Sequence, residues 1–90
     1  MIRRDAWHQP LPGIVITMYS GDHPPPHFRT RYVGQSVSIG IEPLTVLAGT
    51  LPPRALGQVF EWAALHQDEL LADWELVTAH QLPVPIPPLA

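Results

Sequence analysis

Along residues 13–48 apolar and polar positions alternate with the period of a pleated strand, and from Pro52 they recur with the period of a helix. GIVITMY (13–19) is rich in β-branched and aromatic residues and apolar on both faces. That predicts a strand in the middle of a sheet, or one covered on its second side. In HFRTRYV (27–33), Phe28, Thr30 and Tyr32 point one way and His27, Arg29 and Arg31 the other. Gly34 marks a turn. QSVSIGIE then sends Val37, Ile39 and Ile41 inward and Ser36, Ser38 and Gly40 outward, and Glu42-Pro43 leads into a short fourth strand at residues 45–48. Strands joined by such short links pair antiparallel, since a parallel pair needs a crossover of about a dozen residues.

Pro52 suits the first turn of a helix, where a missing N–H is not needed. Leu56, Phe60, Ala63, Gln67, Leu70, Trp74 and Val77 step by four and three and predict one apolar stripe. Glu61, Asp68 and Glu75 form an acidic line away from it. Trp62, Leu65 and Leu76 fall off the stripe of a single straight helix, which calls for a break near residues 66–67 or a second contact surface. After His80, LPVPIPPLA holds four prolines in nine residues and has room only for polyproline II.

The resulting fold class is α+β: a small antiparallel β-meander of three or four strands packed against one or two C-terminal helices. Residues 1–12, ending in Gln-Pro-Leu-Pro, read as an irregular arm, 13–80 as a single domain and 81–90 as a proline-rich tail that frays. Trp62 and Trp74 belong to the core, while Trp7 in the arm is placed to fold back over the sheet.

Ninety residues make one domain with a modest core. The charged fraction, 14 %, is low and there are 12 prolines. This combination suits either apolar surface kept for a partner or a second copy, or a disordered tail. There is no cysteine, so no disulfide, thiolate nucleophile or thiolate metal site exists, and a reducing compartment is the natural setting. The start, MIRRDAWHQPLPG, lacks the apolar core of a signal peptide, and no run approaches the roughly 20 apolar residues of a membrane span. The expected setting is the cytoplasm, with no membrane partner.

The net charge is −3 but unevenly spread. Residues 1–54 hold five arginines against three acids, and residues 55–90 hold five acids and no basic residue. The overall sign argues against nonspecific coating of nucleic acid, which needs many phosphate contacts. A local arginine patch remains, and a molecule carrying both signs can also associate with itself.

The candidate chemistry gathers in SGDHPPPHFRTRY (20–32). Asp22, His23 and His27 are groups able to move protons or ligate metal. Their spacing on a loop is unlike the helical H-E-x-x-H pattern, and no third ligand follows nearby. Neither a metal nor a cofactor is assigned. The plainer reading makes Asp22 a turn cap, the prolines a strand exit and the histidines surface groups. His27, Arg29 and Arg31 at alternate positions would share one strand face, and arginine's planar fork favours carboxylate and phosphate. His66 and Glu69 are placed to tie the helical region to the turn.

The order of these motifs resembles a small bacterial family known as domain of unknown function 4160. Its pattern runs I-x-M-Y-x-x-D-H-x-P-P-H-F-H-A-x-Y and then L-P-x-R-A-L-x-x-V-x-E-W-x-x-x-H-x-x-E-L-x-x-x-W. The matching positions in the first block are Asp22, His23, Pro25, Pro26, His27, Phe28 and Tyr32. In the second they include Leu51, Pro52, Arg54, Ala55, Leu56, Val59, Glu61, Trp62, His66, Glu69, Leu70 and Trp74. The resemblance implies a small partner protein, because such proteins are often encoded beside domain of unknown function 2442 in a toxin–antitoxin-like arrangement. This chain departs from the pattern at Arg29, where the family carries histidine, exchanging a metal-type ligand for an anion-type one.

Together these readings predict a cytoplasmic protein- or anion-binding module acting with a small partner protein, its recognition surface built from Asp22, Arg29, Arg31 and Tyr32. The alternative is a small hydrolase or ribonuclease-like toxin with His23 and His27 as acid and base. Self-association is open under either reading.

Overall fold

The strand that is apolar on both faces needs a neighbour on each edge, and that need shapes the sheet. The computed structural model describes residues 4–8 (as the course of a strand), 13–19, 21 and 23–87. Its elements are β1 (Arg4–His8), β2 (Val15–Tyr19), β3 (His27–Tyr32), β4 (Gln35–Ile41), β5 (Leu44–Gly49), α1 (Pro53–Leu65) and α2 (Gln67–Thr78). The five strands lie in the order β1-β2-β3-β4-β5, each antiparallel to the next. This is the expected α+β meander with one strand more. Residues 4–8, expected within an irregular arm, form β1 because β2 would otherwise present an unpaired row of N–H and C=O groups. Tertiary pairing overrides a weak local propensity there.

The alternation in the chain becomes the inner face of the sheet. Ile14, Ile16 and Met18 beside or on β2, Phe28 on β3 and Val37, Ile39 and Ile41 on β4 are all buried. The turn from β3 to β4 has two central residues, Val33 and Gly34, with φ of 48° and 77°, the signature of a type I′ hairpin.

The helical region divides at His66. Its N–H donates to the Ala63 carbonyl at 3.2 Å while its own carbonyl accepts from Leu70 N–H at 2.9 Å, so one residue closes α1 and opens α2. The break resets the helical phase. The buried positions are Ala55, Val59, Trp62 and Ala63 on α1 and Leu70, Asp73, Trp74 and Val77 on α2. The expected stripe is therefore correct over α2 and one residue out over most of α1, where Leu56 and Phe60 only flank the core. Trp62 fills the centre, edge-on to Phe28 with ring centroids 6.1 Å apart. Gln67 Nε2 donates to the Ile41 carbonyl at 2.6 Å and ties the junction to the end of β4. Glu61, Asp68 and Glu75 are exposed, as their spacing predicts.

Residues 81–87 form no helix or strand, yet they do not fray. Ile86 is 2 % exposed and belongs to the core. Val84 N–H donates to Asp73 Oδ1 at 2.8 Å, and Trp62 Nε1–H donates to the Pro87 carbonyl at 2.9 Å. The prolines leave few N–H groups to satisfy, and the chain here is strapped across the helices by side chains.

Candidate functional site

The helices cover one face of the sheet, and the other carries the arginines. In register, Val15 lies beside Arg31 and Thr17 beside Arg29 on one side; Ser36 pairs with Arg31 and Ser38 with Arg29 on the other. Both arginines are exposed. The Arg29 guanidinium carbon stands 4.8 Å from the centroid of the Tyr19 ring, a cation–π contact that limits the side chain's rotamers. Two shallow grooves of about 170 and 240 Å³ run over this face, and Arg29 and Ser36 border both. Among the described residues Arg31 makes no ion pair.

His27 does not join this row. Its ring centroid lies 5.1 Å from that of Trp74 on α2, and its Nδ1–H donates to the Pro25 carbonyl at 2.8 Å. Strand alternation fixes side-chain direction where both edges are paired, and the pairing of β2 with β3 begins only at Arg29. Residue 27 stands at the start of the strand, ahead of that stretch, and the imidazole turns to the indole. His23 is exposed in the proline segment. Asp22 lies outside the described residues. Among those described, no three His, Asp or Glu side chains come together as a metal-ligand set.

Tyr32 sits on the helix-facing side of β3, half-buried, where it lines a cleft of about 840 Å³ with Val33, Gln35, Arg54 and Gln58 among its walls. The four predicted binding residues are thus divided: Arg29 and Arg31 on the open face, Tyr32 at this cleft, and Asp22 undescribed. His66 makes its contacts within the helical layer, its Nδ1 bonded to Glu69 Oε1 and its ring 5.8 Å from Trp62.

Asp73, not among the residues the sequence singles out, is 1 % exposed. One oxygen accepts from Val84 N–H and the other, Oδ2, has no partner. Its place three residues after Leu70 and four before Val77, on the apolar stripe, was the available signal. Burial raises its pKa above 3.8; the Val84 N–H opposes the rise and the nearby Glu69 charge adds to it. A raised carboxyl pKa means that the folded state holds the proton longer than the unfolded chain does. Stability therefore falls as pH climbs from 3.8 through the folded pKa and is level above it. Asp73→Asn keeps an acceptor for Val84 and cannot ionise, so urea unfolding at a series of pH values should show that slope reduced. Asp73→Ala, which loses the acceptor, should cost about 1–3 kcal/mol.

A five-stranded meander with one face under two helices and the other presenting two exposed arginines defines a small α+β protein. Residues 13–75, well over half the chain, match the family model described as Domain of unknown function (DUF4160). The chain belongs to that family. No curated protein and no solved structure matches it. Among the described residues no helix is long and apolar enough to cross a membrane.

Proposed function

We propose that this chain is a cytoplasmic binding module that holds an acidic segment of a small partner protein on its open sheet face, as one member of a toxin–antitoxin-like pair. The observation that carries this reading is the placement of Arg29 and Arg31 side by side on the face the helices leave bare. Tyr19 braces one guanidinium, and Ser36 and Ser38 are the register partners of Arg31 and Arg29 on β4, so carboxylates set down here meet charge-assisted donors from a paired strand. The acidic outer side of the helices repels the same partner and directs it to the sheet.

Co-expression with the neighbouring gene product, followed by pull-down and titration, tests the proposal. Arg31→Glu is expected to weaken capture by roughly tenfold or more at low salt. The difference should shrink as screening shortens to about 8 Å at physiological ionic strength. Capture unchanged in an Arg29→Glu/Arg31→Glu variant sinks the reading. The hydrolase alternative draws on the same segment; RNA cleavage or growth inhibition that disappears with His27→Ala, while capture is retained, would put catalysis in its place.

A further inference from the structure

On the opposite side of the sheet from the arginine row, the cleft of about 840 Å³ is bounded by the β3–β4 hairpin and the start of α1. Its size falls within the range of small-molecule sites, roughly 300–1,000 Å³. Four polar residues line it, Tyr32 and Gln58 half-buried and Gln35 and Arg54 exposed at its rim. Among the described residues none of the four makes a side-chain hydrogen bond or ion pair, although the chain carries eight acids to its five arginines. Val33, Pro52 and Ala55 supply the apolar remainder of the wall. Tyr32 closes the first sequence motif and Pro52, Arg54 and Ala55 lie near the start of the second, so the two blocks meet at this cleft as well as in the core, where Phe28 packs on Trp62.

Val33 adds an independent sign. It holds φ at 48° and is 78 % exposed. A type I′ turn asks for Asn or Asp at this place, and a β-branched residue there is strained. The strain sets an apolar side chain at the lip of the cleft, where a more stable hairpin would have none.

We infer that this cleft binds a mononucleotide. A guanidinium fork recognises phosphate by paired hydrogen bonds. The phenol ring gives a flat wall against which a base can lie. Each glutamine amide offers a donor beside an acceptor, the pattern that complements the edge of a nucleobase. The site is separate from the arginine face, and its failure leaves the partner-binding reading untouched.

Calorimetric titration of the full chain with AMP, CMP, GMP and UMP, and with inorganic phosphate, decides the matter. At least one nucleotide should saturate with a Kd below about 1 mM, more tightly than phosphate alone. Arg54→Gln should weaken it roughly tenfold or more, and Arg31→Gln should leave it within about twofold. No saturation with any of the four by about 5 mM overturns the inference. So does phosphate binding as tightly as the nucleotides, an Arg54→Gln variant that binds unchanged, or a loss of binding in Arg31→Gln. Should Arg54→Gln fail to fold, Gln58→Ala carries the test. Lost discrimination among the four bases supports the site, and unchanged discrimination refutes it.

Discussion

Trp62→Ala is expected to lower unfolding stability by roughly 3–5 kcal/mol, the range for truncating a fully buried tryptophan. A domain of this length has only about 5–13 kcal/mol in all, so the variant should lose a large share of its stability and unfold at a much lower urea midpoint. Trp62 has no exposed surface, packs edge-on to Phe28 and touches the ring of His66, which links the sheet to both helices. It also holds the strap at residues 81–87 through the Pro87 carbonyl. Trp62→Phe separates these roles: it keeps much of the apolar volume but lacks the indole N–H, a loss of about 1 kcal/mol plus a small cavity. Hydrogen exchange at Val84, whose N–H is bonded to Asp73, should accelerate in Trp62→Phe more than exchange in β3 does. Equal acceleration in both places would mean that the strap has no unfolding step of its own.

The second large effect is expected at Gly49, the last residue of β5. Its φ is 82°, a conformation that side chains rarely adopt, and a Cβ there would stand 2.3 Å from the Ser36 carbonyl oxygen and 3.1 Å from Val37 Cα. Both obstacles are backbone, so no rotamer change relieves them. The same Ser36 carbonyl accepts from Thr50 N–H at 3.1 Å and pins the strand end. Gly49→Ala must therefore spread β4 from β5 and is expected to cost roughly 3 kcal/mol or more, read from the urea midpoint. Gly57 is the control. It lies inside α1 with no atom within 4 Å of an added Cβ, so Gly57→Ala should raise stability by about 0.5–1 kcal/mol. A Gly49→Ala cost under about 1 kcal/mol would show that the end of β5 is not held as described.

Local pattern was enough to read the inner face of the sheet, and it offered the break between helices as one of two alternatives. Val37, Ile39 and Ile41 alternate because the pleat has a period of two, and the misfit of Trp62 to one straight stripe called for either a break or a second contact surface. What escaped the sequence depends on contacts between distant segments. Strand β1 exists because β2 needs a partner, a fact that RDAWH does not carry. The strap over the helices rests on Asp73 and Trp62 reaching a proline-rich stretch whose composition alone suggests disorder. At the candidate site, alternation placed Arg29 and Arg31 correctly because both edges of β3 are paired there. It misplaced His27 at the start of the strand, where an indole on another element decides the direction. The convergence of Tyr32 with Arg54 was invisible for the same reason: 22 positions apart in the chain, they meet only once the helix is docked.

The order of the strands has a further consequence, for the speed of folding. Every strand pairs with the one made just before it, and the strap closes on residues 11 and 25 positions away. Loop closures this short lose little chain entropy, and low contact order goes with fast folding. The sheet can assemble hairpin by hairpin, with the helices then settling on a face already formed, and no strand has to wait for a distant partner.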